Sequence, residues 1–120
     1  MRAIIAAAGT GGHINPAIAI ANKIREEEKD SEIIFIGTKR GLETDLVPRA
    51  GYELKTIDSY GLTRHINLEN LKRLNKTIHS IKQAQKIIRE FKPDIVIGTG
   101  GYICVSVMLA AKKLKIPYML

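Results

Sequence analysis

Residues 3–16 read AIIAAAGTGGHINP: a short apolar run that breaks at Gly9 into three glycines, a threonine and a histidine within five residues. A short apolar run closed by glycines and followed by an amphipathic stretch reads as a buried strand turning sharply into a helix. Residues 94–102, DIVIGTGGY, repeat the pattern. Outward from these two stretches, short runs rich in β-branched residues alternate with helical patterns, as in a doubly wound parallel α/β sheet. Strands are expected at about Ala3–Ala7, Glu32–Gly37, Glu53–Ile57, Asp94–Gly98 and Pro117–Leu120, and helices at about Pro16–Glu28, Leu42–Ala50, Leu68–Phe91 and Tyr102–Leu114. Asn15 before Pro16 is a good helix start, since Asn caps free N–H groups and Pro needs no donor in a first turn. Gly51 suits a helix C-terminal cap.

With 120 residues the chain fits one domain, large enough for a real core without disulfides or metals. Its single cysteine, Cys104, fits a reducing compartment. It has no apolar stretch of bilayer-spanning length and no signal-peptide pattern, so a cytoplasmic location is expected. The net charge of +7 favours an anionic partner without choosing one. A nucleic-acid module fits poorly: aromatics are 5% of residues and none interleave the basic helix as a stacking platform would need. No His/Cys/Asp cluster has metal-ligand spacing, so neither metal nor cofactor is expected. His65 and His79 read as exposed.

In a doubly wound sheet a ligand sits beyond the carboxyl ends of the strands, where the winding reverses. With strand order 3-2-1-4-5, strands one and four are neighbours there. Gly9, Thr10, Gly11, Gly12 and His13 would then face Gly98, Thr99, Gly100, Gly101 and Tyr102 across one crevice. Each loop leads into a helix N-terminus and lets backbone approach an anion, so the pair suits a diphosphate better than a single charge. No lysine follows Gly12 as a P-loop requires, and Asn15 stands at the third glycine of a dinucleotide fingerprint. ATP and NAD are therefore disfavoured.

The combination Gly9-Thr10-Gly11-Gly12-His13-x-x-Pro16, Gly37-Thr38 with Glu43-x-Asp45-Leu46-Val47-Pro48, Ser59-Tyr60-Gly61-Leu62, Lys92-Pro93-Asp94 and Gly100-Gly101-Tyr102 resembles the N-terminal half of the MurG family. The likeness runs from residue 1 to 120 with the motifs in family order. It implies a Rossmann-like half of a two-domain GT-B glycosyltransferase, here a single acceptor-binding domain without the C-terminal donor-binding domain. The implied reaction is inverting transfer of GlcNAc from UDP-GlcNAc to the muramyl C4 hydroxyl of lipid I, giving lipid II for peptidoglycan. The implied partners are lipid I, UDP-GlcNAc, the C-terminal donor domain and the anionic inner leaflet, with the protein peripheral on the cytoplasmic face of the membrane. Alone, the domain is expected to be inactive. The alternatives are a stand-alone acceptor-binding and membrane-binding subunit of a split glycosyltransferase, or a truncated non-catalytic domain.

By the same resemblance, the two glycine loops receive the acceptor diphosphate, and Thr10, Gly11 and Gly12 also touch the donor sugar. His13 is the candidate catalytic base, although an imidazole beside a helix N-terminus equally suits a single hydrogen bond to phosphate. Glu43 and Asp45 are acidic alternatives, but at i and i+2 they point apart. Along the long helix, Leu71, Leu74, Ile78, Ile81 and Ile88 form an apolar stripe that by default packs on the sheet. The family resemblance instead assigns its early part, here Leu71, Lys72, Lys76 and Ile78, to membrane contact. Asn75 and Lys112 are more polar than in relatives, so insertion should be shallow. Two further departures stand out: Ala8 in place of glycine, and Ile103-Cys104-Val105-Ser106, whose bulk is expected to narrow the second loop.

Overall fold

A computed structural model describes residues 1–58, 68–101 and 103–120, with only the backbone for 68–74, 76 and 77. Five parallel strands, β1 (Arg2–Ala6), β2 (Glu32–Gly37), β3 (Glu53–Thr56), β4 (Ile95–Gly98) and β5 (Tyr118–Met119), lie in the order β3-β2-β1-β4-β5. Helices α1 (Gly11–Glu27), α2 (Glu43–Arg49), α3 (Leu68–Phe91) and α4 (Ile103–Lys113) connect them. The winding reverses between β1 and β4, as the alternation of patterns predicts. Register then places the two glycine loops: Ala6 pairs with Gly98, so both loops leave the sheet from one rung.

Alternation along β1 builds the two cores. Ile4, Ala6 and Ala8 face a layer with Ile88, Val107 and Ala111 of α3 and α4, while Ile5 and Ala7 face Ile14, Ala17 and Ala21 of α1 and Val47 of α2. The central strands are apolar on both faces because helices cover both.

Helix α1 departs from expectation by starting at Gly11, five residues before Pro16. Thr10 takes the N-cap position in extended geometry without a side-chain cap bond, and its carbonyl accepts from the N–H of His13 and of Ile14, each at 3.1 Å. Pro16 therefore lies inside the helix and cannot donate to the Gly12 carbonyl one turn back. Gly51, at φ +92°, ends α2 as expected: its N–H bonds Pro48 and that of Tyr52 bonds Val47, which satisfies the last carbonyls.

The stripe on α3 divides. Ile81 and Ile88 pack on the core, whereas Ile78 is 47% exposed. Six residues before the fully buried Ala84, Ile78 lies about 120° around the helix and so off the packed face.

Candidate functional site

The two glycine loops meet. The Thr99 hydroxyl donates to the His13 main-chain carbonyl at 2.6 Å, and the Thr99 N–H bonds the Ala6 carbonyl at 3.2 Å. Gly100 and Gly101 adopt φ of +135° and +95°, a region that L side chains rarely enter. Both also stand against the first loop. A methyl on Gly100 would overlap the His13 imidazole, and one on Gly101 would lie 3.1 Å from the Ala8 carbonyl. His13 is thus half-buried with its ring over Gly100. An open cleft of about 550 Å³ runs from Pro16 and Ile20 of α1 along Gly98, Thr99 and Gly100 to Met119 and Leu120.

The first loop keeps its donors. Among the described residues no acceptor bonds the N–H groups of Thr10, Gly11 or Gly12, and all three residues lie at or near the surface. These are the groups a helix start leaves open. The second loop spends the Thr99 N–H internally and contributes the wall beneath His13.

Beneath the second loop, the Cys104 thiol donates to the carbonyls of Ala6 at 3.4 Å and Gly100 at 3.3 Å. Burial pushes this thiol above its ordinary range, opposed in part by the backbone at Gly100 and Thr99. Ile103 and Ser106 are buried as well, and Val105 is exposed on the far side of α4. None of these four side chains lines the cleft; Cys104 instead supports the second loop from below. Ala8 avoids positive φ, which explains how it replaces a glycine.

Neither acidic alternative faces the crevice. Asp45 is exposed and pairs with Arg49 at 3.0 Å, one turn along α2. Glu43 is fully buried and accepts from the N–H of Gly9 at 3.2 Å and from the N–H and hydroxyl of Thr38 at 2.9 and 3.0 Å. The sequence reading missed this contact, and the signal for it was the pair of glycines at 37 and 41 shortly before an acidic residue. Tyr102 and Ser59-Tyr60-Gly61-Leu62 lie outside the described residues, as do the side chains of Leu71, Lys72 and Lys76. His65 does too, whereas His79 is exposed as expected. Among the described residues no group of His, Cys, Asp or Glu could hold a metal ion.

The surface on the other face of the sheet is apolar in places. Ile78 of α3 and Val105 and Leu109 of α4 are exposed, on two helices joined by a buried Ser80–Ser106 hydrogen bond of 2.8 Å. No helix among the described residues is long and apolar enough to cross a membrane.

Residues 3–120 match the family model described as the glycosyltransferase family 28 N-terminal domain. The chain is 51% identical over 117 residues to a Clostridioides difficile protein named UDP-N-acetylglucosamine--N-acetylmuramyl-(pentapeptide) pyrophosphoryl-undecaprenol N-acetylglucosamine transferase, covering 98% of this chain and 29% of that one. It is 51% identical over 120 residues to a Thermoanaerobacter protein of the same name, covering 100% of this chain and 33% of that one. Among solved structures it is similar to Acinetobacter baumannii MurG, with a TM-score of 0.82 and 28% identity over 98% of this chain and 34% of that one. The chain spans about a third of the length of these relatives.

Proposed function

The chain belongs to the glycosyltransferase family 28 N-terminal domain family, and on that premise we propose that it is the acceptor-binding part of a GlcNAc transferase that makes lipid II from lipid I and UDP-GlcNAc. The observation that carries this reading is the junction of the two loops: the first keeps open N–H groups at Thr10, Gly11 and Gly12, and the second is joined to it through Thr99 on the His13 carbonyl and Gly100 on the His13 ring. Open donors at a helix start favour a diphosphate, and the glycines let it come close to the backbone. The family resemblance assigns Tyr102, next in the chain, to the same substrate.

His13 projects from the first turn of α1 across Gly100, between the two loops. There it takes the proton of the muramyl C4 hydroxyl as that oxygen attacks the anomeric carbon of GlcNAc from the face opposite UDP. The bond to UDP breaks as the new bond forms, so the anomeric configuration inverts. The GlcNAc donor is held mainly by a C-terminal donor-binding domain, and residues 1–120 alone bind acceptor without turning it over.

The exposed Ile78, with Leu71, Lys72 and Lys76 earlier on α3, meets the anionic inner leaflet and keeps the protein peripheral on the cytoplasmic face, where lipid I is found. Val105 and Leu109 extend the apolar part of that contact.

An NMR titration with a soluble lipid I analogue carrying the diphosphate, run beside UDP-GlcNAc, tests the assignment. The amides of Gly9–His13 and Gly98–Gly101 shift together with the acceptor analogue and only weakly with UDP-GlcNAc. Movement with UDP-GlcNAc alone would transfer the crevice to the donor, and silence from both would overturn the diphosphate reading.

A further inference from the structure

We propose that Glu43 is a positioning residue for the diphosphate site: through Gly9 it sets the direction of the open N–H groups of the first loop. The inference rests on the reading of that loop as a diphosphate site.

Three observations carry it. First, the Glu43 side chain is fully buried, and no lysine, arginine or histidine forms an ion pair with it among the described residues. Burying a carboxylate without a cation is costly unless hydrogen bonds replace water. Its donors are few: Oε2 takes the N–H and hydroxyl of Thr38, and Oε1 takes the N–H of Gly9. One carboxylate oxygen is therefore anchored on the β2–α2 turn and the other reaches across to the glycine loop.

Second, the surrounding backbone reserves room for this carboxylate. A methyl on Gly41 would overlap its Oε1, and one on Gly37 would lie 2.7 Å from its Cγ and 3.2 Å from the Ala7 carbonyl. Neither glycine has positive φ, so conformation does not demand them. What demands them is the space that Glu43 fills.

Third, Gly9 is held at both ends by the same short segment. Its N–H goes to Glu43, while its carbonyl accepts from the Leu42 N–H at 3.4 Å. With φ at +97°, Gly9 is the point where β1 turns into the loop, so the plane of its peptide governs how Thr10, Gly11 and Gly12 present their donors. A carboxylate spans two donors on different loops, which an amide of the same shape cannot do.

Glu43→Gln tests the assignment because it keeps the shape and replaces one acceptor oxygen by a donor. Either Gly9 or Thr38 then meets an N–H. The probe is inorganic pyrophosphate, titrated against the chain while amide shifts are followed. For Glu43→Gln we expect an unchanged helix content, displaced Gly9–Gly12 amide shifts before any ligand is added, and pyrophosphate affinity reduced about tenfold. Thr38→Val removes one anchor of the carboxylate without touching Gly9 and is expected to shift the same amides less; it supplies the test if Glu43→Gln does not fold. Wild-type binding with the same affinity in both variants would overturn the role of Glu43. If the wild-type chain ignores pyrophosphate, the diphosphate reading itself fails, and the role of Glu43 in it fails too.

Discussion

Thr99 gives its hydroxyl proton to the main-chain carbonyl of His13 at 2.6 Å, so the loop after β4 hangs from the first turn of the helix after β1. This bond ties together the two halves of the crevice. Thr99→Val keeps the shape and leaves that carbonyl one partner short, which should lower stability by about 1 kcal/mol. It should also loosen the acceptor diphosphate several-fold. Urea unfolding and a titration with the acceptor analogue measure the two effects. Lost stability with unchanged binding would make the bond a fold contact alone.

Gly100 and Gly51 separate strain from contact. Both have positive φ, but a methyl on Gly51 meets nothing within 4 Å, while one on Gly100 runs into the His13 ring. Gly51→Ala should therefore cost about 1–2 kcal/mol from backbone conformation alone. Gly100→Ala should cost more and displace the His13 ring resonances. Equal losses of stability with an unmoved His13 would contradict the packing of that ring on Gly100.

Fused to the remainder of the Thermoanaerobacter relative, His13→Ala should lower kcat by about 10²–10⁴-fold, the usual worth of a general base. Affinity for the acceptor should change by less than about threefold, because in the proposed arrangement backbone N–H groups hold the diphosphate. A raised KM with kcat intact would instead assign His13 to positioning.

The Cys104 thiol carries a pH dependence whose sign follows from burial. Its folded-state pKa lies above the unfolded value, so the unfolded chain loses the thiol proton first as pH rises. Stability from this group is complete below about pH 8.5, then declines by up to about 1.4 kcal/mol per pH unit until the folded thiol ionises too. Urea midpoints at pH 7, 9 and 10 should fall more steeply for the wild type than for Cys104→Ala. Parallel slopes would show that the thiol does not contribute.

The sheet order and the pairing of the loops were legible because they follow from periodicity and winding: five short strands, apolar in the three at the centre, helical stretches between them, and glycines at the ends of β1 and β4. The start of α1 was not. Asn15-Pro16 is the stronger local signal, and it lost to Thr10, whose carbonyl takes two N–H groups at the end of a tight turn. Glu43 was hidden for a different reason. An acidic residue at the start of a short helix normally reads as solvated, and the donors that account for its burial, on Thr38 and the distant Gly9, come together only in the fold. The contact of His13 with Gly100 depends on two loop conformations that no local pattern encodes. Ile78 was half legible: its apolar character joined the stripe, but six residues from Ala84 it could not share the packed face.

That exposed Ile78 makes the proposed membrane contact testable by salt. The exposed apolar residues Ile78, Val105 and Leu109 are few, and α3 and α4 also carry exposed lysines such as Lys82, Lys86, Lys112 and Lys113. Each basic residue near an anionic surface contributes about 1 kcal/mol. Shallow apolar burial by three side chains, by contrast, is insensitive to salt. Binding to phosphatidylglycerol-containing vesicles should therefore be strong at about 0.1 M salt and collapse near 1 M, where the screening length shrinks from about 10 Å to about 3 Å. Ile78→Glu should weaken the low-salt binding about tenfold, since it removes apolar contact and adds repulsion at one site. Lys112→Glu should weaken it comparably through charge alone. Vesicle co-sedimentation across salt distinguishes these contributions: binding that persists at 1 M would mean that apolar insertion, not the basic surface, holds the protein to the leaflet, and that the lysines only steer its approach.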